Sequence, residues 1–324
     1  MNKIRQQVGK KMEMITVILL VLAGLLIFAL AGYMWFKVQD ETPSLQGEVI
    51  CRSQQQPIII DHNSTNLSLV PKPAIERAKT SLHIVYGHTS HGSQITDGMT
   101  GLSQFSAAPY GSSLYSWTHG GTGGALDLRD GAISGDLGSP DRISWADRTR
   151  TYLNAHRDVN VVMWSWCGQV STAKESQINT YLSLMNKLES EYPDVKFVYM
   201  TGHLDGTGVS GNLNIRNEQI RKYCRENNKI LYDFADIESY DPAAHCYLDT
   251  GADDGCNYNG GLNNWAVDWQ ISHRKGTDWY ECGSAHTEPL NANRKAYAAW
   301  WLWARLAGWA GSEESFSSPK NLLT

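Results

Sequence analysis

Positive charge is scarce in this chain. Its 324 residues hold 28 Lys and Arg against 33 Asp and Glu, a net charge of −5, with no long basic run outside the amino terminus. Proteins that grip phosphate backbones cluster Lys and Arg, so nucleic acid is excluded as the main partner. No two cysteines stand in a Cys-x-x-Cys spacing, which removes the usual frame of a structural zinc site. Asp249, Asp253 and Asp254 offer hard oxygens, but their spacing is not that of an EF-hand loop. No metal and no cofactor is therefore expected. No lipid-modifiable cysteine directly follows the apolar amino-terminal run, and the run is longer than the usual core of a signal peptide.

What is present begins with that apolar run. Lys3, Arg5, Lys10 and Lys11 precede a segment from about Met14 to Phe36. Roughly 20 apolar residues cross a bilayer, and flanking positive charge stays inside. Residues 1–37 thus read as a cytoplasmic stub and an uncleaved transmembrane anchor, with the remainder facing outward. A cleaved signal peptide is the alternative. A pilin-like helix is another, because Glu13 heads the run. Residues 38–56 are polar and read as a stalk, and 310–324 as a disordered tail. All six cysteines follow the anchor, which permits disulfides in an exported domain, and Cys246 with Cys256 brackets a short loop as the expected pair. Twelve Trp and 15 Tyr suit an exported or sugar-handling protein.

Between 57 and 309 the pattern alternates. Ile84 to Tyr86, Val159 to Trp164, Lys196 to Met200 and Lys229 to Phe234 read as strands. Ile95 to Phe105, Arg148 to His156, Glu175 to Glu191, Leu213 to Asn227 and Leu290 to Trp309 read as helices. This rhythm predicts an α/β domain with a parallel sheet covered on both faces. Residues 109–140 are rich in glycine and read as a long loop. Residues 240–283 carry little periodicity and read as an insertion held by cysteines and aromatics.

The organising stretch is Leu82 to Gln94, a strand, a tight turn at Gly87 and a helix, with Ser90 between His88 and His91. Open α/β sheets bind ligands at the carboxyl ends of their strands. His286, just before the closing helix, falls at the same edge. A serine becomes a nucleophile once a base takes its proton, so Ser90 and His286 are the candidate pair. The plainer alternatives are a helix cap for Ser90 and a capping or core histidine for His286. His203 and Asp205 form a second polar pair after the Lys196–Met200 strand, and Cys167 reads as a buried or bonded cysteine.

Gly87-His88-Thr89-Ser90-His91-Gly92 and Ser284-Ala285-His286-Thr287-Glu288-Pro289, followed by the closing helix, resemble the first and last blocks of the SGNH (GDSL-like) hydrolase superfamily over roughly Pro57 to Trp309. Thr89 stands where that family has Asp, and Trp166-Cys167-Gly168-Gln169 replaces its Gly-x-Asn-Asp block. Gly283 stands three residues before His286, where Asp is usual. The resemblance implies a three-layer, flavodoxin-like fold and a serine esterase. Its oxyanion hole would use Ser90 with Gly123, Gly124 or Gln169. Asp278 or Glu281 would orient His286, and His88, His91, His203 and Asp205 would line the substrate site. An acylated carbohydrate or other ester is the expected substrate. The alternatives are a catalytically degenerate glycan-binding or adhesion module, a pilin-like filament subunit, and a metal-dependent enzyme built on His88, His91, His203 and His286.

Overall fold

Ile84, Val85 and Tyr86 are fully buried in β2 (His83–Gly87), an interior strand of a seven-stranded sheet. A continuous apolar run is what a strand covered on both faces requires. The same holds for β5 (Val161–Trp164) and for most of β6 (Lys196–Met200). The remaining strands are β1 (Ile58–Ile60), β3 (Trp117–Thr118), β4 (Leu126–Asp130) and β7 (Ile230–Tyr232). Their order is β1-β7-β6-β5-β2-β4-β3, and every pairing is parallel. From β2 the chain goes to β4 on one side, then crosses to β5 on the other. The switch point therefore lies between β2 and β5, where such sheets open a crevice.

This computed structural model describes residues 56–311. The expected anchor, nearly all of the stalk, Cys51 and the end of the tail lie outside the described residues. Among those described, no helix is long and apolar enough to cross a membrane.

The helices are α1 (Lys72–Ser81), α2 (Ser93–Leu102), α3 (Ser144–Ala155), α4 (Glu175–Glu191), α5 (Asn212–Glu226), α6 (Phe234–Glu238), α7 (Trp265–Ser272) and α8 (Pro289–Leu306). α8 packs against α1, α2 and α6, while α4 packs against α3 and α5. α8 is buried nearly all round: its carboxyl-terminal half is apolar, while its first two turns bury Asn291, Asn293, Arg294 and Lys295. Its approach to α2 is close: a Cβ at Gly98 would lie 2.1 Å from the Ala292 carbonyl oxygen.

Two expectations are corrected. The glycine-rich 109–140 stretch contains β4, whose His83↔Asp127 to Tyr86↔Asp130 register runs the length of β2. Its charged residues hid it. Asp127 and Arg129 are buried as an ion pair, with Asp158 and His83 as further partners. Cys246 and Cys256 do not bond: the five described cysteines are free thiols. Cys256 is buried with Trp265, Trp279 and Leu290 in a small core, and Cys246 sits in a bridge to Tyr240. That small core organises 240–283, together with the β8 (Asn257–Tyr258) and β9 (Asn263–Asn264) hairpin and α7.

Candidate functional site

The turns after β2 and β5 meet at the switch point. Ser90 begins a short 3-10 turn that runs into α2, and its backbone follows the extended Thr89. The first N–H groups of a helix have no partner within it and favour negative charge. Cys167 precedes a similar turn after β5. One buried carboxylate holds these two turns together. Asp136, 1% exposed, accepts from Thr89 Oγ1 at 2.6 Å, from the Gly138 N–H at 2.7 Å and from Gln169 Nε2 at 3.2 Å. Gln169 Oε1 in turn accepts from the Cys167 N–H at 3.0 Å. Ser90 Oγ and Cys167 Sγ thereby come to 3.8 Å.

The side chain that joins these groups is His91. Its Nδ1 lies 3.1 Å from Cys167 Sγ, and its Nε2 lies 2.9 Å from Asp254 Oδ2. Burial pushes the Asp254 carboxyl up, but the His91 hydrogen bond and the neighbouring histidines bring it below the usual carboxylate value. An ionised carboxylate only accepts, so Nε2 carries the proton and Nδ1 offers a lone pair to the thiol. Burial also holds the His91 imidazole below its ordinary value, and the nearby His203 and His286 act in the same direction against the pull of Asp254. The resting state is thus neutral His91 beside ionised Asp254. A thiol, an imidazole lone pair and an orienting carboxylate in this sequence form the relay that activates a cysteine nucleophile.

Three imidazoles stack here. The His203 ring lies parallel to His91 at 3.8 Å, and the His286 ring lies on His91 at 4.3 Å and 11°. His203 Nδ1 donates to the Leu204 carbonyl at 2.7 Å, which leaves Nε2 buried and without a partner. His91, His203 and Asp254 have ligand atoms within 4.8 Å of one another. An ion binds a histidine in the plane of its ring, at about 2.1 Å. It cannot lie in two parallel, stacked planes at once, so these two imidazoles cannot share an ion unless one ring turns.

No protein-family model matches the chain, and no curated protein matches its sequence.

The sequence-predicted residues separate into those the fold gathers and those it does not. Ser90, His91, His203 and His286 come together. Among the described residues no hydrogen bond joins Ser90 to His286; the ring that His286 meets is His91. His88 turns the other way. Its Nε2 pairs with Asp130 at the end of β4, at 2.7 Å. Asp205 receives the Thr207 N–H and hydroxyl, and its backbone bridges Asp253. Gln169 directs its amide nitrogen at Asp136. Gly123 and Gly124 are exposed before the start of β4, at the opposite end of the sheet from the histidines. Asp278 accepts from the Arg274 N–H and Glu281 pairs with Lys275, both on the surface. Gly283 lies against Asp97: a Cβ there would be 2.9 Å from the Asp97 carboxyl carbon.

Three residues of the site lay outside the expected set. Cys167 carried a usable signal, a thiol in the short loop that follows a fully apolar strand. Asp254 stood out only as one of the hard oxygens of Asp249, Asp253 and Asp254, since it lies in the aperiodic insertion. The Asp205↔Asp253 bridge and the Gly206 N–H to Ala252 carbonyl bond bring that insertion to the His203 loop. Asp136 lies in the stretch that reads as loop.

Proposed function

We propose that this chain is an acyl-ester hydrolase of SGNH-like, three-layer flavodoxin-like fold, anchored to a membrane and facing outward, with acylated carbohydrate as its substrate class. The observation that carries the hydrolase reading is the His91 ring, which spans Cys167 Sγ and the Asp254 carboxylate. In this reading Cys167 is the nucleophile. His91 Nδ1 takes the thiol proton as sulfur attacks the ester carbonyl carbon. The oxyanion forms beside the amino end of the Ser90 turn. The carbonyl re-forms, the C–O bond breaks, and His91 returns the proton to the departing alkoxide. Water, deprotonated by the same nitrogen, then cleaves the thioester and restores the thiol. Substrate class rests on the tryptophan content and the amino-terminal segment.

A second reading keeps Ser90 as nucleophile. It is favoured by the exposure of Ser90 Oγ, 3.8 Å from Cys167 Sγ at the head of the helix. Both readings are tested by labelling the full-length protein in detergent with a fluorophosphonate and with iodoacetamide, beside Ser90→Ala, Cys167→Ala and His91→Ala. Fast alkylation that requires Cys167 and His91, with turnover of an aryl ester or acetylated sugar, is expected. Fluorophosphonate labelling lost in Ser90→Ala would transfer the role to the serine. Neither label and no turnover in folded protein would favour a glycan-binding module.

A further inference from the structure

Lys295 lies in the middle of α8 with no exposed surface. Burial pushes its ammonium below the ordinary lysine value, against the pull of Glu238. Its Nζ is 2.7 Å from Glu238 Oε2, and neither side chain of this pair is exposed. It also donates to Gln94 Oε1 and stands 3.7 Å from the centre of the Phe234 ring. A buried ion pair stands close to break-even for stability, so stability alone does not account for it.

Both partners reach outward to the histidine loops. Glu238 Oε1 accepts from the N–H of Leu204, the residue after His203. Gln94 Nε2 donates to the carbonyl of Ala285, the residue before His286. Gln94 itself follows His91 by three residues, at the head of α2. Every ring of the stack is therefore one chain neighbour or one helical turn from the same three buried side chains. The three segments share no sheet hydrogen bonds beyond their strands, and this network crosses between them.

We propose that Lys295, Glu238 and Gln94 are positioning residues that set the register of the His203–His91–His286 stack and, through it, the reach of His91 for Cys167. The readout rests on the thiol–imidazole reading of the site. His91 is held at its two nitrogens by Cys167 and Asp254 and on both faces by His203 and His286. A shift of either outer ring moves the Nδ1–Sγ contact, and misplacement by about 1 Å can reduce reactivity roughly a hundredfold.

The test is iodoacetamide alkylation of the full-length chain in detergent, with each cysteine read separately by peptide mass. Glu238→Ala removes the acceptor of both Leu204 and Lys295. Glu238→Gln removes the charge and keeps one acceptor oxygen, which can still take the Leu204 N–H, the arm that reaches His203, while the Lys295 contact is lost. Cys167 is expected to slow roughly tenfold in Glu238→Ala and to regain most of that rate in Glu238→Gln. Buried Cys224 and Cys256 should stay unreactive, because burial pushes both thiols up, Cys256 to about 12. A merely structural defect would instead open the fold and hasten those two. Hastening of all thiols, an unchanged Cys167 rate, or no rescue by glutamine overturns the proposal. Gln94→Leu cuts the Ala285 arm and the Gln94 acceptor of Lys295 but leaves the Lys295–Glu238 charge pair in place, so it serves if Glu238→Ala does not fold. It should slow Cys167 by roughly threefold, and an unchanged rate again overturns the network. Wild-type Cys167 reacting no faster than in His91→Ala would sink the thiol reading itself. Fast wild-type reaction with indifferent Glu238 and Gln94 variants sinks only the network.

Discussion

Replacing Asp254 by Asn asks whether the carboxylate orients His91 or merely lies beside it. The Asp254 Oδ2 to His91 Nε2 contact is 2.9 Å and charge-assisted. Such a bond contributes about 1.5–3 kcal/mol, which at about 1.36 kcal/mol per decade corresponds to roughly 10- to 150-fold in rate. The Asp254 side chain is 27% exposed. Solvent screens part of its charge, so the lower part of that range, roughly 10- to 40-fold, is expected. Asn also offers an N–H that can invert the tautomer and turn Nδ1–H toward the thiol, which removes the base. The assay is alkylation of Cys167 against pH in wild type and Asp254→Asn. The two curves should differ in height and in position. Burial holds the wild-type His91 below 6.5, and the Asp254 bond is the main pull upward. Without that charge the acid limb moves to still lower pH while the plateau falls. An unchanged plateau would refute the relay. A limb that moves to higher pH would refute the electrostatic account of His91.

Other perturbations probe the frame. Asp136→Ala leaves the Thr89 hydroxyl, the Gly138 N–H and the Gln169 amide without their acceptor. It should lower stability by about 1–3 kcal/mol and slow Cys167, as read by urea midpoint and by alkylation. Gly98→Ala drives a methyl to 2.1 Å from the Ala292 carbonyl oxygen in α8. Neither backbone can yield cheaply, so a loss of about 1–3 kcal/mol or more is expected from the urea midpoint, and a neutral result would mean that the α2–α8 spacing is looser than described. The His88–Asp130 pair gives a pH signature of opposite sign to His91. Burial alone would lower His88, but Asp130 raises it above its ordinary 6.5. The pair's stabilisation is then complete below 6.5 and fades as pH rises through the raised value. Urea midpoints compared from about pH 6 to about pH 9 should show this slope in wild type and lose it in Asp130→Asn.

The readable parts of the sequence are those in which one side chain pattern has one physical cause. β2, β5 and β6 are apolar without interruption because both faces are covered, and α4 shows Ile178, Tyr181, Leu182, Met185 and Leu188 on one buried stripe. β4 failed for the reverse reason. Asp127 and Arg129 are buried polar residues that satisfy each other, and pattern alone cannot tell a buried ion pair from a solvated loop. In the site, Ser90 and His286 were legible as positions at the strand edge. Their hydrogen-bond partners were not, since partner choice depends on the angle at which loops cross the sheet edge. Gln169 shows this: its side chain was legible as an amide near the site, but its Oε1 and Nε2 are directed by Asp136 and the Cys167 N–H.

The insertion explains why this edge needed a structure to be understood. A doubly wound sheet supplies two turns at its switch point, here those of His91 and Cys167, and both come from regular, readable elements. A relay also needs an orienting carboxylate on the far side of the imidazole, where the sheet itself presents nothing. In this chain the carboxylate is Asp254, carried by an aperiodic segment whose own core is Cys256, Trp265, Trp279 and Leu290. That core folds the segment, and the Asp205↔Asp253 bridge docks it on the His203 loop. The aromatic residues of the insertion thus hold the segment that sets Asp254 against His91. Trp265→Ala, buried at 1% exposure, should release Asp254 from His91 before it unfolds the sheet. Its expected signature is therefore the Asp254→Asn alkylation profile in a protein that keeps most of its far-UV circular dichroism. A cavity of this kind destabilises by about 3–5 kcal/mol. Were the insertion and the sheet one cooperative unit, circular dichroism and Cys167 reactivity would fail together, and the separation between frame and orienting arm would not hold.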